Sequence, residues 1–450
     1  MTLARPEKIP ASNMRRGSCP TLARPMKTGD GLLARLRPLD CTIGVDALRA
    51  IAQSAAEFGN GILEITARGS LQIRGLRPET VASFERAVLE TGVKIPPGPM
   101  IETPPLAGLD PDELVDVRPL AARLRKRIEE HKPLLALAPK LAITVDGGGR
   151  FHLGEVAADI RIAAYGGEGD YLLSVSGIAA SARPVALLRQ GEIDDAVVRL
   201  LEMLADLGPA ARGKDLTADR LAAHIPAIKP TVAALTEPVQ PCGLHTMEGG
   251  TIAVGVVLPY RQVHAVTLIE FLDPVKRAGA GRVYLAPGHA LFVAGLSRPA
   301  GESLQRRATE LGFWTDPGDI RANISLCAGS QGCASAFFDT KQLADAVLQD
   351  APDLLDGSCT LHLSGCAKGC AHPAPSGLAL IGTPTGYGLV VNGAASNEPV
   401  AYIAANDVKP LLSRLALLVA QSRQAGESVH TCLTRLGADR IGAALKMENT

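Results

Sequence analysis

The chain repeats itself, and that constrains the fold more than any other feature. Shifted by 220 residues, GDGLLARLRPL (Gly29 to Leu39) falls on GGTIAVGVVLP (Gly249 to Pro259). At the same shift FGNGILEITARGSLQIRGL (Phe58 to Leu76) falls on AGAGRVYLAPGHALFVAGL (Ala278 to Leu296). Gly59, Gly61, Leu71, Gly75 and Leu76 meet Gly279, Gly281, Leu291, Gly295 and Leu296, and farther on Glu90 and Gly92 meet Glu310 and Gly312. Each copy reads strand, helix, strand, strand, helix, which is most of a ferredoxin-like unit. In the first copy the strand Leu32 to Leu36 precedes a helix with Asp46 as its expected N-cap. Leu48, Ile51, Ala52, Ala55 and Phe58 give that helix an apolar face, and Gly59 and Gly61 end it. Ile62 to Thr66 and Leu71 to Ile73 read as a hairpin around Arg68-Gly69-Ser70, and Glu79 to Glu90 as a second helix.

A weaker repeat follows each copy. KLAITVDGG (Lys140 to Gly148) resembles CTLHLSGCA (Cys359 to Ala367), and YLLSVSG (Tyr171 to Gly177) resembles YGLVVNG (Tyr387 to Gly393). Helical stretches near Ile193 to Leu207 and Val408 to Gln424 close the two units. The organisation expected is A–B–A′–B′ in the α+β class: A over 17–95, B over 108–213, A′ over 241–316 and B′ over 320–450. The Pro-containing segment 214–240 is the expected connector. B′ carries cysteines where B has Gly147, Gly148 and Gly149.

Composition narrows the function. A chain of 450 residues is too long for one core. Lys plus Arg and Asp plus Glu both total 46, so no overall basic field attracts nucleic acid, and aromatics at 3% supply no base-stacking platform. No apolar run approaches the roughly 20 residues of a membrane span. MTLARPEKIPASNMRRGSCP lacks the apolar core of a secretory signal, so a cytoplasmic location is expected. Nine cysteines in such a compartment point to metal or redox chemistry rather than to disulfides.

Four of them form a pattern. Cys327 and Cys333 are spaced C-x5-C in CAGSQGC, and Cys366 and Cys370 are spaced C-x3-C in GCAKGC. Four thiolates are the usual ligands of a [4Fe–4S] cluster. The Gly and Ala around them let backbone approach the cluster sulfurs and donate N–H bonds to them. Zinc is the rival, but its pairs are normally C-x2–4-C, and buried free cysteine is the plain alternative. Cys41, Cys359 and Cys432 stand alone and read as structural thiols. Cys19 and Cys242 precede the first strands of A and A′ and read likewise.

With these motifs in place, the sequence resembles the sulfite and nitrite reductases that carry sirohaem and a [4Fe–4S] cluster. The resemblance runs from about Gly17 to the C-terminus. It implies two halves related by a pseudo-two-fold axis, each a ferredoxin-like half domain followed by a sulfite/nitrite reductase-type α+β domain. In that family the macrocycle lies between the halves, and the last cysteine, here Cys370, bridges the cluster to the sirohaem iron. The resemblance also implies that Arg and Lys grip the macrocycle's carboxylates. Arg68 and Gln72 match its T-x-R-x-x-x-Q pattern. Lys140 matches the first lysine of its R-K-F-K stretch, whereas Ala142 replaces the second. Arg118 is a further candidate. Arg35 and Arg37, on the first strand of A, have Gly255 and Val257 as their counterparts in A′, a one-sided basic pair of the kind an asymmetric cleft needs.

The chain reads GCAKGCAHP where those reductases read G-C-P-N-x-C. That motif, with RRGSCP and PMKTGDGLLARL near the N-terminus, resembles the precorrin-3B synthase branch of the family. The resemblance implies a monooxygenase of aerobic cobalamin biosynthesis that converts precorrin-3A to precorrin-3B with O2 and NADH, by hydroxylation and lactone formation. It implies a [4Fe–4S] cluster and a mononuclear non-haem iron, for which His372 and His362 are the best-placed ligands. No G-x-G-x-x-G follows a strand and opens a helix, so direct NADH binding has no support. A separate NADH-dependent electron-donor protein is expected instead. The alternative is a sirohaem-dependent sulfite or nitrite reductase.

Overall fold

The computed structural model describes residues 20–131, 137–166, 169–224, 239–372 and 374–446. Cys19 and residues 225–238 of the expected connector lie outside them. The chain divides into two compact units, one built on residues 32–317 and the other on 27–31 with 318–450. Among the described residues, no helix is long and apolar enough to cross a membrane.

The larger unit holds A, B and A′. In A, strands β1 (Gly31–Leu36), β3 (Ile62–Ile65) and β4 (Leu71–Leu76) are joined by β2 (Thr42–Gly44), α1 (Val45–Phe58) and α2 (Val81–Glu90). B consists of β5 (Met100–Glu102), α3 (Arg118–His131), β6 (Ala142–Asp146), β7 (Ala158–Tyr165), β8 (Asp170–Gly177), β9 (Arg183–Arg189) and α4 (Ile193–Leu207). A′ consists of β10 (Gly243–Thr246), β11 (Ile252–Val257), β12 (Gln262–His264), α5 (Ala265–Arg277), β13 (Arg282–Ala286), β14 (Ala290–Leu296) and α6 (Arg298–Glu310).

The two A modules trade strands. β2 of the first pairs antiparallel with β13 of the second, and β12 of the second pairs antiparallel with β3 of the first. The chain enters each exchanged strand through a left-handed turn at the same place in the repeat. Asp40 and Cys41 have φ of 52° and 56°, and Tyr260 and Arg261 have φ of 50° and 69°. Side chains rarely occupy this region, so its recurrence 220 residues on is structural proof of the repeat. The exchange fuses both modules into one core. Ala34, Leu36, Ile51, Leu63 and Ile73 share a cluster with Val254, Val256, Leu268, Phe271 and Val293. Each large side chain buried there contributes about 1.5–3 kcal/mol.

Helix α1 corrects one expectation. Its N-cap is Gly44, not Asp46, and no side chain caps it. Asp46 lies inside the first turn, where a carboxylate favours the positive end of the helix dipole, and it accepts from Lys276 at 2.7 Å. Helix α2 starts at Val81, because Pro78–Thr80 forms a 3-10 turn before it.

The two hairpin tips also meet. His289 Nδ1 lies 2.6 Å from the Ile65 carbonyl, and burial together with the charge of Arg261 pushes the imidazole down to about 3. The ordinary histidine value is about 6.5, so the unfolded chain takes up a proton first as pH falls. Stability from neutral His289 is complete above roughly pH 6.5 and is lost as pH falls toward 3. The ring is partly exposed, so the slope stays below the limit of about 1.4 kcal/mol per pH unit. Urea melts from pH 7 to pH 4.5 are expected to show this slope in the parent protein and a shallower one in His289→Gln. Equal slopes would remove His289 from the account.

B is a mixed sheet in the order β9-β8-β7-β6-β5, with β5, β6 and β7 parallel. The start of the expected connector belongs to its core, because Leu216 and Leu221 pack there. B′ in the smaller unit repeats this topology with β15 (Ile324–Leu326), α7 (Thr340–Asp350), β16 (Leu361–Ser364), β17 (Ser376–Thr383), β18 (Gly386–Gly393), β19 (Ala401–Ala404) and α8 (Val408–Ser422). Strands β15, β16 and β17 are parallel, and β18 and β19 return antiparallel.

Candidate functional site

In B′ the parallel pairing does the positioning. Leu326 is level with Leu363 on the neighbouring strand, so β15 and β16 end side by side. The residues that follow them are Cys327 and Gly365-Cys366. Two cysteine motifs nearly forty residues apart in sequence are thus delivered to the same end of the sheet. A single helical turn, Gly329–Gly332, carries the chain from Cys327 to Cys333. Gly365 N–H donates to Cys327 Sγ at 3.2 Å, and Phe337 N–H donates to the Gly365 carbonyl at 2.9 Å. A side chain at Gly365 would place its Cβ 2.5 Å from Ala336 Cβ and 3.4 Å from Cys327 Sγ, so only glycine fits. The N-terminal KTGDG segment packs on the other loop, where a Cβ at Gly29 would stand 2.7 Å from the Ala334 nitrogen.

The four thiols sense one another. Cys327 feels the charges of Cys333 and Cys370, and Cys366 feels those of all three others. Burial pushes Cys327 and Cys366 up, while N–H bonds from Gly365 and Gly329 to Cys327, and from Lys368 to Cys366, pull down. Bound metal deprotonates such thiols outright. Among the described residues, no three His, Cys, Asp or Glu groups close on a single ion, as a zinc knuckle requires. A multi-iron core is larger, and an all-sulfur donor set with N–H groups aimed at sulfur suits it. The residues present fit a [4Fe–4S] cluster. In B the equivalent loop has no thiols, and Asp146, which aligns with Gly365 in the repeat, accepts from Leu153 and Gly148 N–H at 2.6 and 3.0 Å.

His362 and His372 come together, with ring centroids 5.8 Å apart, edge to face. His362 is fully buried on β16, and His372 Nε2 lies 3.3 Å from the Pro375 carbonyl. Non-haem iron takes three protein ligands, two His and a carboxylate. This pair by itself falls short of that set.

The larger unit carries the basic residues. Arg35, Gln72, Glu64 and Gln262 lie level on four adjacent strands, on the face opposite the shared core. With its amide turned to suit, Gln72 accepts from Arg35 at 2.7 and 3.0 Å and donates to Glu64 at 3.0 Å. Glu64 also accepts from Gln262 at 2.6 Å and from Arg74 at 3.3 Å. The matching face of A′ is apolar. Phe292 packs there against Phe151 at 5.0 Å, and a Cβ at Gly255 would strike the Pro241 carbonyl at 1.7 Å. The one-sidedness of Arg35 is therefore built into the packing.

Arg68 is held by a partner that sequence reasoning missed. Its Nε donates to Glu102 Oε1 at 3.0 Å, its Nη2 pairs with Glu102 Oε2, and its Nη1 donates to the Ala157 carbonyl at 2.5 Å. Burial pushes the Glu102 carboxyl up, against the pull of Arg68, Arg37 and Arg161. Arg37, Arg68, Ser70, Glu102 and Arg125 line one pocket, which Cys41 also borders. Burial pushes the Cys41 thiol up to about 12, which disfavours the thiolate a reactive cysteine needs. Arg118 stands apart from this row, paired with Asp116 at 2.8 Å at the start of α3. Lys140 is half-buried in the turn before β6.

Comparison with known proteins accords with this architecture. Residues 24–91 match the nitrite/sulfite reductase ferredoxin-like half domain. A precorrin-3B synthase of Sinorhizobium sp is 46% identical over 439 residues, 97% of this chain and 95% of that protein. A ferredoxin-dependent nitrite reductase of Synechococcus elongatus is 24% identical and is matched over 80% of this chain and 77% of its own length. The solved structure of the NirA protein of Mycobacterium tuberculosis superposes with a TM-score of 0.73 at 20% identity, covering 91% of this chain and 84% of that one. That likeness shows the fold. The identity over nearly the full length of both chains shows more: this chain belongs to the precorrin-3B synthase family, on the fold of the nitrite and sulfite reductases.

Proposed function

We propose that the chain is an oxygen-dependent precorrin-3B synthase that converts precorrin-3A to precorrin-3B, by hydroxylation and lactone formation, in cobalamin biosynthesis. The near-full-length likeness to a precorrin-3B synthase carries the reading. Cys327, Cys333, Cys366 and Cys370 would hold a [4Fe–4S] cluster, which supplies electrons one at a time when bound. Gly365 and Gly329 N–H groups would spread part of the negative charge of the Cys327 sulfur. Arg35 and Gln72, with Arg68, offer donors suited to the carboxylates of a tetrapyrrole substrate. Lys140 and Arg118 are secondary candidates for that task. The family resemblance also implies a mononuclear iron, and His362 and His372 are the partial ligand set on hand. NADH would act through a separate reductase.

Insertion of one oxygen atom takes O2 and two electrons and sends the second atom to water. The anaerobically purified protein should therefore be incubated with precorrin-3A, NADH, an NADH-dependent reductase and 18O2. One labelled oxygen in the lactone product is the expected result. Product formed without label would overturn the dependence on O2, and stoichiometric sirohaem bands in the visible spectrum would overturn the reading in favour of a reductase.

A further inference from the structure

We infer that Lys368 is a potential-setting residue: its ammonium, pinned across the two cysteine loops, favours the reduced state of the cluster they hold. The inference rests on the cluster assignment above. Lys368 lies between Cys366 and Cys370 and is half-buried. Its Nζ donates to Ser335 Oγ at 3.0 Å, and Ser335 is two residues beyond Cys333. Its backbone N–H bonds to the thiol of Cys366. One residue is therefore tied to both motifs, by backbone on one side and by side chain on the other.

The physics is a charge argument. A cluster that accepts one electron gains one unit of negative charge and, at a thiolate-ligated core, no proton need follow. A fixed positive charge beside it lowers the energy of the reduced state more than that of the oxidised state. An exposed, mobile lysine would be screened by solvent and salt, but the bond to Ser335 and the partial burial hold this one in place. The neighbouring positions in the C-x3-C loop, Ala367 and Gly369, bring no charge of their own. Lys368 is thus the ionisable side chain within the loop besides the thiols.

The test is an anaerobic dye-mediated redox titration of the full, cluster-loaded chain, followed by electron paramagnetic resonance. Lys368→Met is expected to make reduction at least tenfold less favourable, which for one electron is a downward shift of about 59 mV. Lys368→Arg keeps the charge and is expected to stay within threefold of the parent. Lys368→Gln, smaller and still polar, is a second neutral variant should Lys368→Met not load iron. A neutral variant within threefold of the parent would overturn the inference, as would an Arg variant displaced as far as the neutral ones. Iron and sulfide assays separate the two levels of the argument. A parent protein without iron sinks the cluster assignment, whereas a loaded cluster with an unmoved potential sinks only the role of Lys368.

Discussion

Cys366→Ser is expected to strip the protein of iron and inorganic sulfide and to abolish product formation while leaving the larger unit folded. The reason lies in how the site is assembled. One residue, Gly365, separates Cys366 from the end of β16, and it fixes Cys327 through its N–H. Serine keeps the backbone and the volume but replaces a soft thiolate with a hard, weakly acidic hydroxyl, which iron–sulfur cores tolerate poorly. Three thiolates and one hydroxyl would then be left to hold a cluster that takes four thiolates. The cores of A, B and A′ are built from residues of the larger unit and include none of this loop, so their unfolding midpoint in urea should stay that of the parent. Iron and sulfide assays with circular dichroism read both outcomes together. Retention of four iron and four sulfide per chain would show that Cys366 is not a ligand. Cys359→Ser is the control. Its thiol is half-buried near Gly377 and joins none of the four, so iron content should not change.

Why the meeting of the two cysteine motifs was legible in the sequence, and Glu102 was not, follows from how each contact is encoded. The cysteines come in two local motifs, and the weaker repeat already put KLAITVDGG and CTLHLSGCA on matching strands. The parallel pairing of β15 with β16 then needed no further sequence signal to bring the motifs together. The repeat also located Arg35 opposite Gly255, and packing of Phe292 and Pro241 explains why that position lost its side chain in A′. The strand exchange was hidden because Thr42–Gly44 and Gln262–His264 are three residues each, too short for a period of two to register. The cap of α1 departs from expectation because Asp46, an apt capping residue, lies two positions past Gly44. Glu102 sits at the end of a three-residue strand with no motif around it, and its partner is 34 residues away. Only the fold shows that Arg68 has a carboxylate of its own.

That pairing makes Arg68 a sharper test than a sequence pattern alone would allow. Arg68→Ala is expected to lower the unfolding free energy by about 3 kcal/mol, the lower end for breaking a buried ion pair, since the Arg68 side chain is 30% exposed while that of Glu102 is 8%. The cost comes from leaving the Glu102 carboxylate buried beside an empty space. Glu102→Gln removes that charge, so the double variant Arg68→Ala/Glu102→Gln should recover most of the loss. Substrate affinity should behave otherwise. If the guanidinium contacts a tetrapyrrole carboxylate, the double variant remains at least tenfold weaker for precorrin-3A, because neutralising Glu102 does not restore the donor. If Arg68 only neutralises Glu102, stability and affinity recover together. Urea melts and equilibrium binding of precorrin-3A to the four members of this cycle separate the two roles. Parallel recovery would move the carboxylate-gripping assignment to Arg35 and the row it shares with Gln72, where Arg35→Ala breaks no pairing with Glu102.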